Sequence, residues 1–501
     1  MLTRLKINGF KNLVSVDVRF GPFTCIAGAN GVGKSNLFDA IMFLSALAEK
    51  PLLDAAKSVR DEEGRTSDVR SLFHRVGNTF AKEMSFEIEM IVPQTGIDDL
   101  GQEGKASITF LRYLLRLGYR ENREQKSQEG LEILQEELKH INRGDANKNL
   151  LFKTSSSWRA SAISGERRGG PFISTEGEGK ERIIKLHQDG GSSGKPRSIL
   201  ATNLPRTVLS STNAAESPTV LVAKREMQSW QLLQLEPAAL RKPDEFSAPT
   251  KLGANGSHLA STLHHLPEIR KSGAQKDALG IYAHVANRLA DLIDDVNSIS
   301  VDFDEKRELL TVEVTGRDGT PHSARSLSDG TLRFLALAVL EMDPESTGII
   351  CLEEPENGIH PERIPAMLEL LQDISMDVDE PVGADNPLRQ VIINTHSPSV
   401  VAQIPDDSLL VAEPIETLLL GKRCKVVRFS TLPENWRLEA PEGVHAVARG
   451  KLLSYLNPVP HEETGYGYSK NGVPQPAQKK SRRVIDRPDL QLSLPLVAEK
   501  P

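Results

Sequence analysis

The chain has 501 residues, 39% hydrophobic and 26% charged, so it has enough apolar surface for more than one buried core and is not fibrous. Its net charge of −7, from 61 basic and 68 acidic residues, excludes a global positive field that draws it to nucleic acid, and any DNA contact is then a local patch. Three cysteines, Cys25, Cys351 and Cys424, stand far apart without C-x-x-C spacing, which excludes a disulfide framework and a zinc site and fits a reducing cytoplasm.

Residues 1–10 lack the apolar core of a signal peptide, and the longest apolar run, Leu332 to Met342, is too short to span a bilayer, so no membrane insertion is expected. Val14, Val16, Val18 and Phe20 alternate with polar residues, and 23–27 form a second apolar run. Strands are therefore predicted to feed a glycine loop, followed by a helix over about 34–48. Met84, Phe86, Ile88 and Met90 alternate with Ser85, Glu87 and Glu89, which predicts a half-buried strand and an antiparallel element. Between 122 and 261 the pattern weakens into glycine, serine and arginine runs such as 165–170 and 190–194, the mark of a loop-bearing insertion. Within it Leu131, Leu134, Leu138 and Ile141 keep a helical spacing in a segment short enough to be a strand, and both readings stay open.

Periodicity returns after Ala278. A helix to about Val296 is followed by strands at 299–303 and 309–314, a helix from about 329, a strand at 349–352, a helix after Pro361 and a strand at 390–394. That alternation predicts a mainly parallel sheet covered by helices. From about 455 the chain is rich in proline and polar residues and carries the basic run 479–483, which reads as a disordered tail. The expected organisation is an N-terminal lobe (1–121), an insertion (122–261), a C-terminal lobe (262–454) and the tail (455–501).

Gly28 to Ser35 spell a full G-x-x-x-x-G-K-S between a predicted strand and a predicted helix, the context that a phosphate-binding loop requires. Glycines let consecutive N–H groups turn inwards at phosphate oxygens, and the helix N-terminus adds about half a positive charge. Asn30, Gly31, Val32, Gly33, Lys34, Ser35 and Asn36 are the candidate nucleotide contacts, with Lys34 reaching the β and γ phosphates and the Ser35 hydroxyl on Mg²⁺. The apolar run 349–352 leads straight into Glu353 and Glu354, the Walker B arrangement: Glu353 is the candidate Mg²⁺ ligand, and Glu354 the group that orients or deprotonates the attacking water. Ser328, Asp329 and Gly330 open a helical run, with Ser328 as its N-cap and the first-turn N–H groups as a second anion site; plain helix capping explains the same residues. His396 follows a predicted strand, where a neutral imidazole can hydrogen-bond the γ phosphate, although a lone histidine is more often a packed or solvated one.

Taken together, the segments GANGVGKS, SLSDGTLR, IICLEEPENGIHP and INTHSP resemble the ABC-type ATPases of the SMC, RecF and OLD group, especially stand-alone bacterial AAA-family members. Residues 5–13 are similar to that family's start, and the likeness covers about 1–120 and 250–430. The resemblance implies an α/β ATPase head with mixed antiparallel and parallel sheets flanked by helices, interrupted by an insertion, and hydrolysis of ATP with Mg²⁺. It implies that Ser328 and Gly330 contact the γ phosphate held by another copy's loop, and that Glu354 is the catalytic glutamate. It further implies that 356–360 lie at the dimer loop, that His396 is the switch histidine, and that Lys11 and Asn12 lie near the base or phosphates. The family's Q-loop glutamine has no evident counterpart, and position 353 is Glu where the wider superfamily has Asp.

The implied assembly is an ATP-dependent homodimer or higher oligomer in the cytoplasm. Two roles follow: a switch in an antiphage defence or DNA-processing system acting with a separately encoded effector nuclease, or a RecF- or SMC-like repair ATPase that clamps DNA through basic segments such as 112–123. A transporter ATPase fits poorly with the long insertion between motifs.

Overall fold

In the computed structural model, the described residues are 1–59, 68–120, 130–167, 169–189, 195–202, 204–269, 278–293, 295–419, 421–441 and 443–448. The glycine–serine run 190–194 and the tail expected from 455 lie outside them.

An eight-stranded antiparallel sheet runs in the order Arg197–Leu200, Ile183–Leu186, Ile173–Glu176, Gly130–His140, Phe110–Arg120, Glu83–Ile91, Leu2–Asn8 and Val16–Arg19. Beside it, a seven-stranded sheet runs Gln231–Leu233, Gly348–Glu353, Arg389–Thr395, Phe23–Ala27, Leu409–Leu419, Lys422–Thr431 and His445–Ala446. The first five of these are mutually parallel. A small sheet of Asp244–Glu245, Leu309–Gly316, Val296–Asp304 and Pro321–Ser323 stands apart.

The parallel strands read as unbroken apolar runs because both faces are buried. Ile349, Cys351 and Ile392 pack into one core with the helix Lys34–Leu47, while Ile350, Leu352, Val391 and Ile393 pack into a second core with the helix Asp329–Met342. Successive side chains alternate between faces, so one short segment feeds two cores. In the first core Phe10, Phe43 and Phe86 meet with ring centroids 5.5–5.8 Å apart, which clamps the helix Lys34–Leu47 against the antiparallel sheet.

Several elements differ from the sequence reading. The 131–141 leucine pattern belongs to the strand Gly130–His140, paired along its length with Phe110–Arg120; the cross-strand ladder outweighs a spacing that suits both structures. Val14 lies outside its strand, because Ser15 takes φ 53° and the strand begins at Val16. The helix from Ala278 stops at Leu292, and Val296 opens a strand. The predicted strands 299–303 and 309–314 pair with each other in the small antiparallel sheet, not in the parallel one. The alternating burial of Leu309–Gly316, with one face more exposed, is what that separate sheet requires. Residues between 122 and 261 supply four strands of the eight-stranded sheet and the edge strand Gln231–Leu233 of the parallel sheet.

Glu136, on Gly130–His140, is fully buried and accepts from Val208 N (2.8 Å), Leu209 N (2.9 Å) and Tyr113 Oη (3.2 Å). These bonds pin the 207–209 turn, whose Thr207 hydroxyl caps the end of the helix Lys34–Leu47 at Leu47 O (3.1 Å). Burial pushes the Glu136 carboxyl up to about 7, the hydrogen bonds only partly opposing it. A folded-state pKa raised above the unfolded one contributes stability that is complete below about 4.5 and lost as pH rises towards about 7. Thermal melts across that window should therefore show wild type losing ground to Glu136→Gln as pH increases; a constant difference would mean that the carboxyl ionises without cost.

Candidate functional site

The parallel strands end level with one another at one edge of the sheet: Glu353 pairs with Asn394, Asn394 with Ile26 and Thr395 with Ala27. The glycine loop follows Ala27, and Gly28 N donates to Thr395 O (3.2 Å). Gly33 sits at φ 115°, and a Cβ there would lie 2.2 Å from the Asn12 amide, so only glycine fits. Asn12 Nδ2 donates to Val32 O (2.8 Å) and Asn12 Oδ1 accepts from Asn36 Nδ2 (2.8 Å), which ties the loop at both ends. The helix Lys34–Leu47 has no side-chain cap, so its first-turn N–H groups serve the loop. Lys34 Nζ donates to Gly28 O (2.6 Å) and Ala29 O (3.1 Å); burial lowers its pKa, while Glu354, Glu356 and Glu353 pull it back up.

Facing the loop, Glu353, Glu354, Asn357 and Asn394 complete a cleft of about 580 Å³ with Asn30, Gly31, Gly33, Lys34, Ser35 and Asn36. Glu354 has a backbone φ of 45°, a left-handed conformation that costs a non-glycine residue about 1–3 kcal/mol. Its N–H donates to Asn394 O (3.0 Å), and its carboxylate is held by Asn357 Nδ2 (3.0 Å) and by His396 Nδ1 (2.6 Å). Burial pulls the Glu354 carboxyl up, but the Asn357 and His396 hydrogen bonds and the nearby Lys34 charge outweigh it and hold the pKa below the ordinary carboxylate value. At neutral pH the group is an ionised acceptor, so Nδ1 of His396 carries the proton.

Ser328 caps the helix Asp329–Met342 by accepting from Thr331 N (3.2 Å), and both Ser328 and Asp329 are exposed. These residues do not line the Lys34 cleft. Gly330 instead packs on the 354–361 loop, where a Cβ would come within 2.5 Å of Gly358 O. Lys11 also stands outside the cleft, its Nζ 2.7 Å from Asp39 Oδ2, and the Asn12 amide is engaged by the loop itself.

The family described as "AAA domain, putative AbiEii toxin, Type IV TA system" matches residues 23–97 and 235–402. The first interval holds the Lys34 loop, and the second holds Ser328, Glu353, Glu354 and His396. The described residues form an α/β fold with one large antiparallel and one mainly parallel sheet, and the two matched intervals are what the chain shares with that family. Two DNA replication and repair proteins RecF, from two strains of Porphyromonas gingivalis, are 46% identical to it over 46 residues, 9% of this chain and 13% of theirs. Among solved structures, an SMC head bound to the C-winged helix domain of ScpA is 15% identical, with a TM-score of 0.44 over 85% of this chain and 97% of that one. The SMC head domain from Thermotoga maritima is 11% identical, with a TM-score of 0.34 over 86% and 98%.

Three polar groups of this candidate site have no individual role in the sequence reading. Gln234 follows the edge strand Gln231–Leu233, whose Leu233 pairs with Leu352, so it flanks Glu353 and lines a second pocket with Glu353, Glu354 and Asn357. Arg333 donates from Nε to Leu235 O (3.0 Å) and from Nη1 to Asn357 O (2.6 Å), which joins the Ser328 helix to both segments. Asn357 holds Glu354. Arg333 and Asn357 lie in the segments SLSDGTLR and IICLEEPENGIHP but carry no individual role there, and Gln234 leaves no trace in the sequence.

The glycine cradle, the uncapped helix and Lys34 fit a triphosphate, and Ser35 and Glu353 supply oxygen ligands suited to Mg²⁺. Lys34→Ala should weaken binding of a fluorescent ATP analogue about ten- to hundredfold, the value of a charged hydrogen bond; an unchanged Kd would overturn the assignment of the loop.

Proposed function

We propose that the protein is an ATP-binding and ATP-hydrolysing switch in the cytoplasm, which pairs around ATP and controls a separate effector in a bacterial antiphage defence or DNA-processing system. The observation that carries the reading is the division of the motifs. The Lys34 cleft is built from one set of strand exits, whereas Ser328 and Asp329 are exposed and lie outside its lining, open to a second copy. ATP lies between the Lys34 loop of one copy and the Ser328 helix of the other, so the triphosphate is favoured in the closed pair by contacts that exist only there. Ser35 and Glu353 would hold Mg²⁺, which when bound would supply neutralisation of the phosphate charge. Glu354, ionised and oriented by Asn357 and His396, takes up the proton of the attacking water or fixes its lone pair. Hydrolysis removes the γ phosphate and the pair opens.

The short match to RecF from Porphyromonas gingivalis favours a second reading, a repair ATPase that clamps DNA directly. In the basic segment 112–123 expected to carry it, Arg112 is paired with Glu89 (2.9 Å) and Arg116 with Glu83 (2.6 Å), while 121–123 lie outside the described residues. Salt-sensitive, ATP-dependent DNA binding by the purified protein distinguishes this reading from the first.

Glu354→Gln retains the cleft but removes the base, so with ATP and Mg²⁺ it should elute from gel filtration as a stable dimer. A monomer unaffected by ATP would sink the composite site.

A further inference from the structure

Glu356 lies two residues beyond the proposed base, yet it points into the protein. Its side chain is 8% exposed, and Oε1 accepts from the hydroxyl of Thr395, itself fully buried. That hydroxyl in turn accepts from Ser397 N (2.9 Å), so donor and acceptor roles at Thr395 are both filled. Glu356 Oε2 is buried with no hydrogen-bond partner among the described residues. Burial raises the pKa of this carboxyl, the Thr395 hydrogen bond only partly opposing it. A buried carboxyl with one idle oxygen is a costly way to fill space, so a side chain at this position calls for an account beyond packing.

The account lies in what stands on either side. Asn357 follows Glu356 and His396 follows Thr395, and these two neighbours are the groups that grip the Glu354 carboxylate. The hydrogen bond between Glu356 and Thr395 therefore closes a ring: Glu354 through the chain to Glu356, across to Thr395, on to His396, and back to Glu354. Glu354 itself is held at a left-handed φ of 45°, which persists only when its surroundings over-determine it.

We propose that Glu356 is a positioning residue for ATP hydrolysis, clasping Thr395 so that His396 and Glu354 stay in register across the two strand exits. This inference rests on the reading of Glu354 as the hydrolytic base. The clasp lies outside the phosphate loop, so its loss changes the rate of the chemical step and leaves nucleotide capture alone; misplacing a catalytic group by about 1 Å costs up to roughly a hundredfold.

The test is steady-state ATP hydrolysis by Glu356→Leu, which fills the volume without an acceptor, and by Thr395→Val, nearly isosteric and free of the hydroxyl. Each should lower kcat on the order of ten- to a hundredfold with KM for ATP within about twofold. The double variant should be no slower than the worse single one. Glu356→Gln keeps an acceptor for Thr395 and should recover most of the loss, which a space-filling or purely electrostatic role does not predict. If Thr395→Val folds and keeps kcat within about twofold while Glu354→Gln is inactive, the clasp is wrong and the reading of the cleft stands. A parallel rise in KM would also overturn it, by marking general damage to the site. A wild-type protein without ATPase activity would remove the reading of Glu354 and the clasp together.

Discussion

The site depends on a register. Three parallel strands, Phe23–Ala27, Gly348–Glu353 and Arg389–Thr395, finish level with one another because each feeds alternate side chains into two cores on opposite faces. A slip of one residue in any of them would turn a whole row of isoleucines and leucines to the wrong core. The same slip would carry Glu353, Asn394 or the start of the glycine loop about 3.3 Å along the sheet. Hydrophobic burial thus sets the polar geometry: the apolar rows lock the strand ends, and the strand ends place the loop, the acids and the histidine around one cleft.

Electrostatics then tunes what the register has assembled. Lys34 is pulled down by burial and up by three carboxylates, while Glu354 is pulled up by burial and down by its two hydrogen bonds and the lysine charge. The two groups sustain one another's ionised forms, and the negative charge of a triphosphate in the cleft would favour the lysine cation while opposing the glutamate anion. Glu356, buried behind them and raised in pKa, belongs to a different electrostatic environment although it is only two residues away.

How much of this was legible in the sequence follows from range. The glycine loop is local: Gly28 to Ser35 carry their own strand–loop–helix context, so the motif reads without a fold. Glu353 and Glu354 were legible because a doubly buried strand must be apolar up to its exit, and two acids mark that exit. Ser328 was legible as a cap because capping involves neighbours three residues apart. By contrast, Gln234 becomes part of the site only through pairing with a strand more than a hundred residues later, in a stretch of weak periodicity. Arg333 is one of many arginines until its contacts with Leu235 and Asn357 are known. The 131–141 leucines satisfied both helical and strand templates, and the long ladder with Phe110–Arg120 decided between them. Lys11 and Asn12 were placed near the nucleotide by resemblance; in the folded chain their side chains hold Asp39 and the loop.

At Gly330 the first turn of the helix Asp329–Met342 rests on the carbonyl of Gly358 with no side chain interposed. Elsewhere helices meet loops through methyl groups and long side chains, which deform under load. Backbone against backbone offers no such cushion, so displacement of one surface by a fraction of an ångström must be met by the other. The amides at the tip of this helix are consequently geared to the loop that carries Asn357, and any strain applied to that tip from outside arrives undamped beside Glu354.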